Sequence, residues 1–445
     1  MSLTLHYDFA TDKSLVAAVG PTLSITRATT ATYFDNAGVM QTAGTGVARF
    51  DHLPVSPFTS LGLLVEEART NICLQSEDFA TTWVTTGITV TANAGVAPDG
   101  TLTADDLLFT GANTLSQSIT VTADTVNTVS IYLKQGTTGS HDWVKVTFRE
   151  NSIANGYESH FDLSSGTEGT AAELGTGASN FNSGIEDVGN GWYRCWVTAQ
   201  LPSAQTDGSF RVMNVIADGS ATRENTDSVW YWGAQLEAGA FPTSYIPTTT
   251  ASVTRNVDNI SSTNMSWYNT SAGSFYISAL QGQAPVSGNV FVVANNNNTT
   301  NRVQLSATTN SRAATILRKD SGTQFAATSG NNAIASGSVH KVAYAYALAD
   351  HAHYVDGVVT ATLTDPTNLV PPTSITHLYV GSTGTSAQIN GHIAEIRYYN
   401  TRPTNAQLED MSNGIFPTFG TDRIIGGITR SVTRDITRPI TGEFY

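Results

Sequence analysis

The amino-acid sequence predicts an all-β protein: two successive β-sandwich (jelly-roll) domains, preceded by an irregular β-rich N-terminal region and followed by an extended C-terminal tail. Three observations predict this fold class. Several segments alternate apolar and polar residues, turn sequences separate them, and only one short segment has a good helical pattern. Charged residues make up 13% of the chain and hydrophobic residues 40%, and the Thr-, Ser-, Asn- and Gly-rich remainder favours sheets and tight turns. We therefore expect more than about one-third strand and less than about one-tenth helix.

The turn and composition pattern divides the chain into four parts. Residues 1–72 contain short apolar segments separated by turns and are interpreted as a β-rich cap or attachment region. Residues 73–250 and 251–414 carry the recurring strand patterns and are predicted to form a jelly roll and a second sandwich. Residues 415–445 form the tail.

Four segments of the first predicted sandwich alternate clearly. They are Asn127–Lys134, Asp142–Glu150, Trp192–Ala199 and Val229–Glu237. Such alternation predicts one packed row and one row that faces water or a partner. In the last segment, strict alternation places Tyr231 and Gln235 on the exposed face. The opposite row of that segment consists of Trp230, Trp232, Ala234 and Leu236.

The second predicted sandwich contains a hairpin, a long strand and the one short helix. Asp356 and Gly357 lie between two apolar runs, and an Asp-Gly pair suits the two-residue turn of a hairpin. Gly391–Tyr399 is predicted to be a strand. Thr404–Met411 is predicted to be a helix with Thr404 as its N-cap.

The tail contains a four-residue repeat in which β-branched residues and arginines recur. β-Branched residues at this density disfavour a helix, and Pro439 would block a helix interior. We predict that the repeat docks as an extended strand on another subunit or another protein, and disorder is the alternative. The predicted docking residues are Ile428, Arg430, Val432, Arg434, Ile436 and Arg438.

Charge and hydropathy argue against two classes of function. The net charge of −14 leaves no surplus of Lys and Arg for a phosphate backbone, so we expect no nucleic-acid binding. No apolar run is long enough for a membrane-spanning helix, so we expect no membrane insertion. Because residues 1–10 lack a secretory signal pattern, we expect synthesis in a host cytoplasm and release inside an assembled particle.

The sequence indicates few metal or cofactor sites, and we assign no metal ligands. Cys73 and Cys195 are interpreted as buried free thiols, with a single disulfide as the alternative. His351 and His353 could together hold a transition metal, but we expect a solvated strand end there. A calcium site is the one cofactor left open. Its candidate ligands are Asp105, Asp106 and Asp187.

Several phrases resemble bacteriophage and prophage virion proteins of the tail-fibre, head-fibre or spike type. They are Arg27–Asp35, Arg49–Asp51, Gly62–Asn71, Glu186–Cys195 and Trp232–Pro247. The resemblance covers roughly the first 250 residues and implies a jelly roll like those of carbohydrate-binding modules. Two phrases of the second sandwich are similar to concanavalin A-like lectin domains of the laminin G or pentraxin type. They are Tyr354–Gly357 and Gly391–Ile396.

The resemblance implies a receptor-binding virion protein that presents its sandwiches to a host-surface polysaccharide or lipopolysaccharide. It also implies contacts with other virion proteins and a symmetric homo-oligomer, for which we expect a trimer. Two alternatives stay open. One is a structural adaptor or decoration protein without glycan binding, and the other is a glycan-degrading tailspike enzyme.

Aromatic residues beside hydrogen-bond donors mark a candidate glycan-binding surface on the faces opposite the apolar rows. An aromatic ring can stack on the C–H face of a pyranose while donors bind its hydroxyls. The alternative is that a neighbouring domain or subunit covers these side chains, because large aromatic residues are also enriched at interfaces. The candidate residues are Trp192, Arg194, Trp196, Trp143, Lys145 and Tyr231.

No catalytic motif is found, and we predict that the protein is not an enzyme. Gly-x-Ser-x-Gly, His-Glu-x-x-His and the phosphate-binding Gly-x-x-x-x-Gly-Lys are all absent. Paired carboxylates for glycoside cleavage leave no sequence motif, but the long repeats of β-helical depolymerising spikes are also absent. Glu66, Glu67 and Arg69 are interpreted as a structural ion-pair cluster.

Overall fold

The computed structural model describes most of the chain. The described residues are 1–110, 114–136, 142–152, 155–282, 289–297, 300–308, 311–319, 322–330, 333–364, 371–384 and 386–416. Strands account for 53% of the chain and helices for 3%, which confirms the predicted all-β class. The predicted docking residues, from Ile428 to Arg438, lie outside the described residues, so tail docking stays a prediction. Within the described part, no helix has the length and apolar character needed to cross a membrane.

The described residues form thirty strands and two short helices. The N-terminal region contributes β1 (Leu3–Asp8), α1 (Phe9–Asp12), β2 (Ser24–Thr26), β3 (Ala31–Phe34), β4 (Met40–Ala43), β5 (Phe50–His52), β6 (Ser60–Val65) and β7 (Arg69–Asn71). The first sandwich contributes β8 (Ile88–Val96), β9 (Leu102–Phe109), β10 (Leu115–Thr120), β11 (Val126–Gln135), β12 (Trp143–Glu150), β13 (Gly156–Asp162), β14 (Thr167–Leu174), β15 (Ser179–Asp187), β16 (Tyr193–Gln200), β17 (Asp207–Asn214) and β18 (Ser228–Ala238). The remainder contributes β19 (Val253–Arg255), β20 (Asn259–Ser262), β21 (Ala272–Gln281), β22 (Asn289–Asn295), β23 (Arg302–Thr308), β24 (Arg312–Lys319), β25 (Gly322–Thr328), β26 (Val339–Ala347), β27 (Asp350–Val355), β28 (Val358–Thr364), β29 (His377–Val380), β30 (Gly391–Tyr399) and α2 (Asn405–Ser412).

The first sandwich consists of two antiparallel sheets. One sheet has the strand order β15-β16-β11-β18-β9-β8 and the other β10-β17-β12-β13-β14. The apolar rows predicted on β11, β12 and β16 are buried between the sheets, which confirms the alternation on these strands. Cys73 and Cys195 lie in the same core as free thiols, so the free-thiol interpretation is confirmed. The confirmed core rows are Val129, Ile131, Leu133, Val144, Val146, Phe148, Cys195, Val197 and Ala199.

Strand β18 departs from the predicted alternation at Gly233. This glycine has a φ of +64° and lies at a bulge, where β18 gains one residue against β11. An extra residue reverses the facing of every residue that follows. Ala234 and Leu236 therefore lie in the core with Tyr231, whereas Trp232 faces the opposite side. The predicted common face of Trp232 and Leu236 is wrong, and so is the predicted exposure of Tyr231, which is fully buried.

Strands of the N-terminal region complete the sheets of the second sandwich. β1 and β6 pair with β30, and β5 pairs with β6, in a sheet of order β28-β27-β26-β21-β30-β6-β5. β2 pairs with β20 in a sheet of order β2-β20-β29-β22-β23-β24-β25. Residues of both regions, such as Leu5, Leu63, Ile277 and Ile396, share one core. The region interpreted as a cap thus packs with the second sandwich, while the exact domain boundaries stay predictions.

Two local predictions for the second sandwich are confirmed. Asp356 and Gly357 form the two-residue turn between β27 and β28, and their φ angles of 47° and 78° are those of a primed turn. Thr404 caps helix α2: its hydroxyl accepts a hydrogen bond from the Gln407 amide, and the Gln407 side chain accepts one from the Thr404 amide.

His351 and His353 are fully buried, so the predicted solvated strand end is wrong. They lie on β27, an inner strand between β26 and β28, and face the core together with Tyr344. His351 Nδ1 is 2.9 Å from the Tyr344 hydroxyl, and His353 Nδ1 contacts the Thr360 hydroxyl. Burial lowers the pKa of each imidazole to about 4, because the charged form would be poorly solvated there.

The buried imidazoles predict a stability that falls in mild acid. Below the ordinary histidine pKa of 6.5, the unfolded chain takes up a proton at His351 and His353, while the folded chain stays neutral down to about pH 4. Stability is therefore lost as the pH falls from 6.5 to 4, by about 3 kcal/mol for each imidazole. Urea unfolding at pH 7.5, 5.5 and 4.5 measures this loss.

A double variant, His351→Gln with His353→Gln, should flatten this pH dependence. The matched control is His377→Gln, because His377 is only half-buried. Equal slopes of stability against pH in the unaltered protein and the double variant would contradict the assignment.

Candidate functional site

A buried network of ion pairs lies where the N-terminal region meets the segment that follows the first sandwich. Arg49 donates to Glu66 Oε2 at 2.6 Å and to Asp258 Oδ2 at 2.5 Å. Arg27 donates to Asp258 Oδ1 at 2.7 Å, and Arg255 lies 2.9 Å from Glu66 Oε2. All five side chains are buried, and we call them the junction network.

Further hydrogen bonds connect the junction network to the exit of the first sandwich. Both the amide and the hydroxyl of Ser244 donate to Glu66, at 2.8 and 2.7 Å. Burial alone would raise the pKa of Glu66. The guanidinium groups of Arg255 and Arg49, together with these hydrogen bonds, nevertheless hold that pKa far below its ordinary value. Glu67 and Arg69 pair at 2.5 Å beside the network, which confirms part of the predicted ion-pair cluster. Its third member, Glu66, pairs with Arg49 and Arg255 instead.

Loss of one charge from the junction network should destabilise the protein strongly. Asp258→Asn keeps the shape of the side chain but leaves Arg27 and Arg49 short of a buried carboxylate, at an expected cost of about 3–5 kcal/mol. The matched control is Asp350→Asn, whose partner is Arg402 and whose side chain is 46% exposed; its expected cost is below about 1 kcal/mol. Chemical denaturation of both variants measures the difference, and equal losses would contradict the role of the network.

A cavity of about 320 Å³ opens beside the junction network. Its walls come from four parts of the chain: the N-terminal region, the outer face of β15, β16 and β11, the segment 241–245 after β18, and the start of β30. We call it the junction cavity. Its aromatic and polar walls include Phe34, Asp51, His52, Tyr132, Glu186, Arg194, Trp196, Phe241, Ser244, Tyr245, Asn390 and His392.

Strands β15 and β16 bring Trp196, Arg194 and Glu186 together. Trp196 and Arg194 alternate with the buried core row of β16, and Glu186 pairs with Arg194 across the two strands. Gly184 pairs with Trp196, and a Cβ at that glycine would lie 2.7 Å from the indole ring. The glycine therefore lets the indole lie close over β15. Arg194 lies over the Tyr132 ring, with 5.3 Å between its guanidinium carbon and the ring centroid.

Several polar atoms of the junction cavity have no hydrogen-bond partner within the described part of the chain. Three are buried nitrogens: Arg194 Nε, His52 Nε2 and His392 Nδ1. The other nitrogen of His392 pairs with Asp51 at 2.8 Å, which fixes this ring against the wall. Because buried polar atoms in folded proteins nearly always have a partner, these three nitrogens are exceptions among the residues that line the cavity.

The carboxylate of Glu186 faces the solvent of the cavity. Desolvation by the surrounding walls raises the pKa of Glu186, and the nearby Asp51 acts in the same direction, against Arg194 and His392. No described residue forms a hydrogen bond or an ion pair with this carboxylate. It is therefore available as an acceptor for a ligand.

Only two of the six predicted glycan-binding residues, Arg194 and Trp196, line the junction cavity. Trp192 is 1% exposed, because the hairpin β3–β4 covers this part of the sheet with Met40. Its indole N–H donates to the Val96 carbonyl at 3.0 Å. Trp192 was therefore wrongly predicted to be exposed. The alternative, that a neighbouring domain covers the side chain, is correct for this residue.

The other three predicted residues lie elsewhere in the first sandwich. Tyr231 lies in the core and donates to Asn214 Oδ1 at 2.7 Å. Trp143 and Lys145 lie on the outer face of the other sheet, where Lys145 pairs with Glu158 at 3.0 Å. Sequence analysis missed Glu186, His52 and His392 as site residues. Glu186 and His392 lie in phrases that carried the resemblances, but nothing in the pattern indicated that they meet.

The described residues do not gather the predicted calcium ligands into a metal-like group. Asp105 instead accepts hydrogen bonds from the backbone amides of Phe79 and Asn93, both at 3.0 Å. A different group, His6, Asp8 and Glu395, has ligand atoms within 4.8 Å of one another. In that group Arg397 Nε is 2.5 Å from Glu395, and this cation already neutralises the carboxylate that a metal would need.

Comparison with known proteins shows only partial fold likeness. No family model and no curated protein matches the chain. Among solved structures, the sialidase module CBM40 of Ruminococcus gnavus bound to α2,3-sialyllactose is 16% identical, with a TM-score of 0.29 over 32% of this chain and 83% of that chain. Domain 4 of the arabinanase AbnA of Geobacillus stearothermophilus, in complex with arabinotriose, is 13% identical, with a TM-score of 0.28 over 39% and 82%. A SAP-like pentraxin of Limulus polyphemus is 8% identical, with a TM-score of 0.25 over 32% and 70%. Likenesses of this size say nothing about the ligand or activity of this chain.

The two tryptophans of β16 and its preceding turn should respond differently to truncation. Trp192→Ala removes a buried indole and should cost about 3–5 kcal/mol of stability. Trp196→Ala removes a half-buried indole that borders a solvent-filled cavity, so its cost should be less than half as large. Thermal or urea unfolding of both variants measures the ratio, and a larger loss for Trp196→Ala would place that indole in the core.

Proposed function

We propose that this protein binds a host cell-surface glycan at the junction cavity, as a fibre, spike or decoration subunit of a bacteriophage-type particle. One observation carries the proposal of glycan binding. The half-buried Trp196 indole and the exposed Glu186 carboxylate line one concave site together with the polar side chains of Arg194, His52 and His392.

The chemistry of these groups suits a sugar. A pyranose has an apolar C–H face that packs on an aromatic ring and a rim of hydroxyls that both donate and accept hydrogen bonds. Glu186 can only accept when ionised, Arg194 can only donate, and each free imidazole nitrogen can do either, depending on its tautomer. A ligand that satisfies all of them needs donors and acceptors in alternation, which is the pattern of neighbouring hydroxyls.

The particle role is supported by the resemblance to virion fibre and spike proteins. Arg27, Arg49 and Glu66 lie in the resembling N-terminal phrases, and Ser244 lies in the phrase that ends the first sandwich. All four are members or partners of the junction network. The resemblance therefore concerns residues that join the parts of the chain. The same proposal includes a virion location, host polysaccharide or lipopolysaccharide as partner, contacts with other virion proteins, and a homotrimer.

A purely structural adaptor is the second candidate function. It is favoured by the cover over Trp192, since part of the aromatic outer face serves to join the N-terminal hairpin to the first sandwich. A glycan-degrading enzyme is the third. It is favoured by the raised pKa of Glu186 near Asp51, because a general acid must hold its proton near neutral pH. Asp51 is already engaged by His392 and by the amide of Phe34 at 2.7 Å, so binding is the better supported function.

Binding to an array of bacterial surface polysaccharides and lipopolysaccharides tests the proposal. Trp196→Ala and Glu186→Gln should each weaken binding to the best glycan by about tenfold or more, which corresponds to about 1.4 kcal/mol. The matched control is Trp143→Ala, a half-buried tryptophan on the outer face of the other sheet, which should bind like the unaltered protein. No binding on the array would favour the structural adaptor, and equal affinity of all three variants would place the glycan outside the junction cavity. Release of reducing ends would favour the enzyme.

A further inference from the structure

Two further cavities adjoin the junction cavity. The second, of about 520 Å³, shares Phe241 and Asn390 with the junction cavity. The third, of about 500 Å³, shares Ala68, Arg69 and Ala238 with the second. Because each cavity has wall residues in common with the next, the three adjoin one another in a row, which we call the junction groove.

The junction groove follows two chain segments along its length. Residues 66–72 border the three cavities in order: Glu66 lines the first, Glu67 the second, and Thr70 and Ile72 the third. Residues 238–245 border them in the reverse order. At about 3.3 Å per residue, the first segment spans at most about 20 Å. Because three cavities follow one another along these two segments, the groove is longer than it is wide, and its shape suits a linear ligand with several repeated units.

The second cavity has uncharged polar walls. Gln388, Asn289 and Thr125 contribute amide and hydroxyl groups. The two charged residues there, Arg69 and Glu67, pair with each other at 2.5 Å, so neither presents a free charge to a ligand.

The third cavity continues this chemistry with Thr70, Thr120, Thr122 and Asn127. Amide and hydroxyl groups match the hydroxyls of a sugar. A polyanion would instead need unpaired arginines or lysines. The walls of the second and third cavities are therefore complementary to an uncharged chain.

We propose that the junction groove binds a linear, uncharged polysaccharide, with one sugar in the junction cavity and successive sugars in the second and third cavities. This inference rests on the proposed glycan-binding function and extends the same site. Small exposed side chains, Ala68, Ala238 and Ala240, leave the room that the chain occupies. Each added sugar gains contacts with fixed walls, so affinity rises with chain length up to the length of the groove.

Fragments of the best-binding array polysaccharide, cut by partial hydrolysis to two, four and six sugars, test this inference by calorimetry with the full-length protein. In the unaltered protein, the Kd for six sugars should be at least tenfold lower than the Kd for two. Ala68→Trp places a large ring between the second and third cavities, so this ratio should fall to near one. The matched control is Ala221→Trp, because Ala221 is exposed and lines none of the three cavities, and its ratio should match that of the unaltered protein.

The outcomes separate this inference from the proposed function. Binding of the disaccharide that Trp196→Ala weakens, together with a length ratio near one in the unaltered protein, would overturn the groove and leave the junction cavity as the site. A ratio that Ala68→Trp does not change would also overturn it. Displacement of the six-sugar fragment by a synthetic peptide of residues 421–445 would assign the groove to the tail of the chain. Failure of every fragment to bind would overturn the proposed function itself.

Discussion

The junction network is the interaction on which the arrangement of the chain depends. Three guanidinium groups and two carboxylates are removed from water there, and such burial is tolerated only when each charge meets a partner at hydrogen-bond distance. Arg27, Arg49 and Glu66 come from before the first sandwich, whereas Arg255 and Asp258 come from after it. The charges are compensated only when both segments are in place, so the network selects one relative position of the parts over all others.

The junction cavity is a consequence of that fixed position. Trp196, Arg194 and Glu186 belong to one sandwich, His392 belongs to the other, and His52 belongs to the N-terminal region. None of these elements forms a concave site alone. Because the network fixes the positions of these elements, their polar groups are already in place before a ligand binds.

Local patterns in the sequence predicted the features that depend on near neighbours. The alternation of β11, β12 and β16, the Asp356-Gly357 turn and the capping box of Thr404 are all encoded within a few residues, and all are confirmed. The alternation of β18 was predicted wrongly because the bulge at Gly233 has no unambiguous residue pattern, and one inserted residue reverses the facing of every residue after it.

Features that depend on distant partners could not be predicted from the sequence. The burial of His351 follows from the position of β27 inside a sheet, which alternation alone does not reveal. The approach of Glu186 to His392 requires that two sandwiches and the N-terminal region dock. The candidate site was therefore only partly predictable: Trp196 and Arg194 were identified by the aromatic face of one strand, whereas their polar neighbours come from elsewhere.

The pairing of β1 with β30 gives the molecule the topology of an inserted domain. His6 and Glu395 meet although 389 positions separate them, so the second sandwich is interrupted in sequence by the whole of the first. The short antiparallel ribbon of β7 and β19 is the point where the chain leaves one sandwich and returns to it. At roughly 5–20 residues per second, β30 is synthesised on the order of tens of seconds after the N-terminal strands that pair with it. By then, all strands of the inserted sandwich have been synthesised. When the two ends of an inserted domain lie side by side, another domain can replace it without a change in the path of the surrounding chain. A fold of this topology can therefore acquire a new recognition module while the second sandwich stays intact.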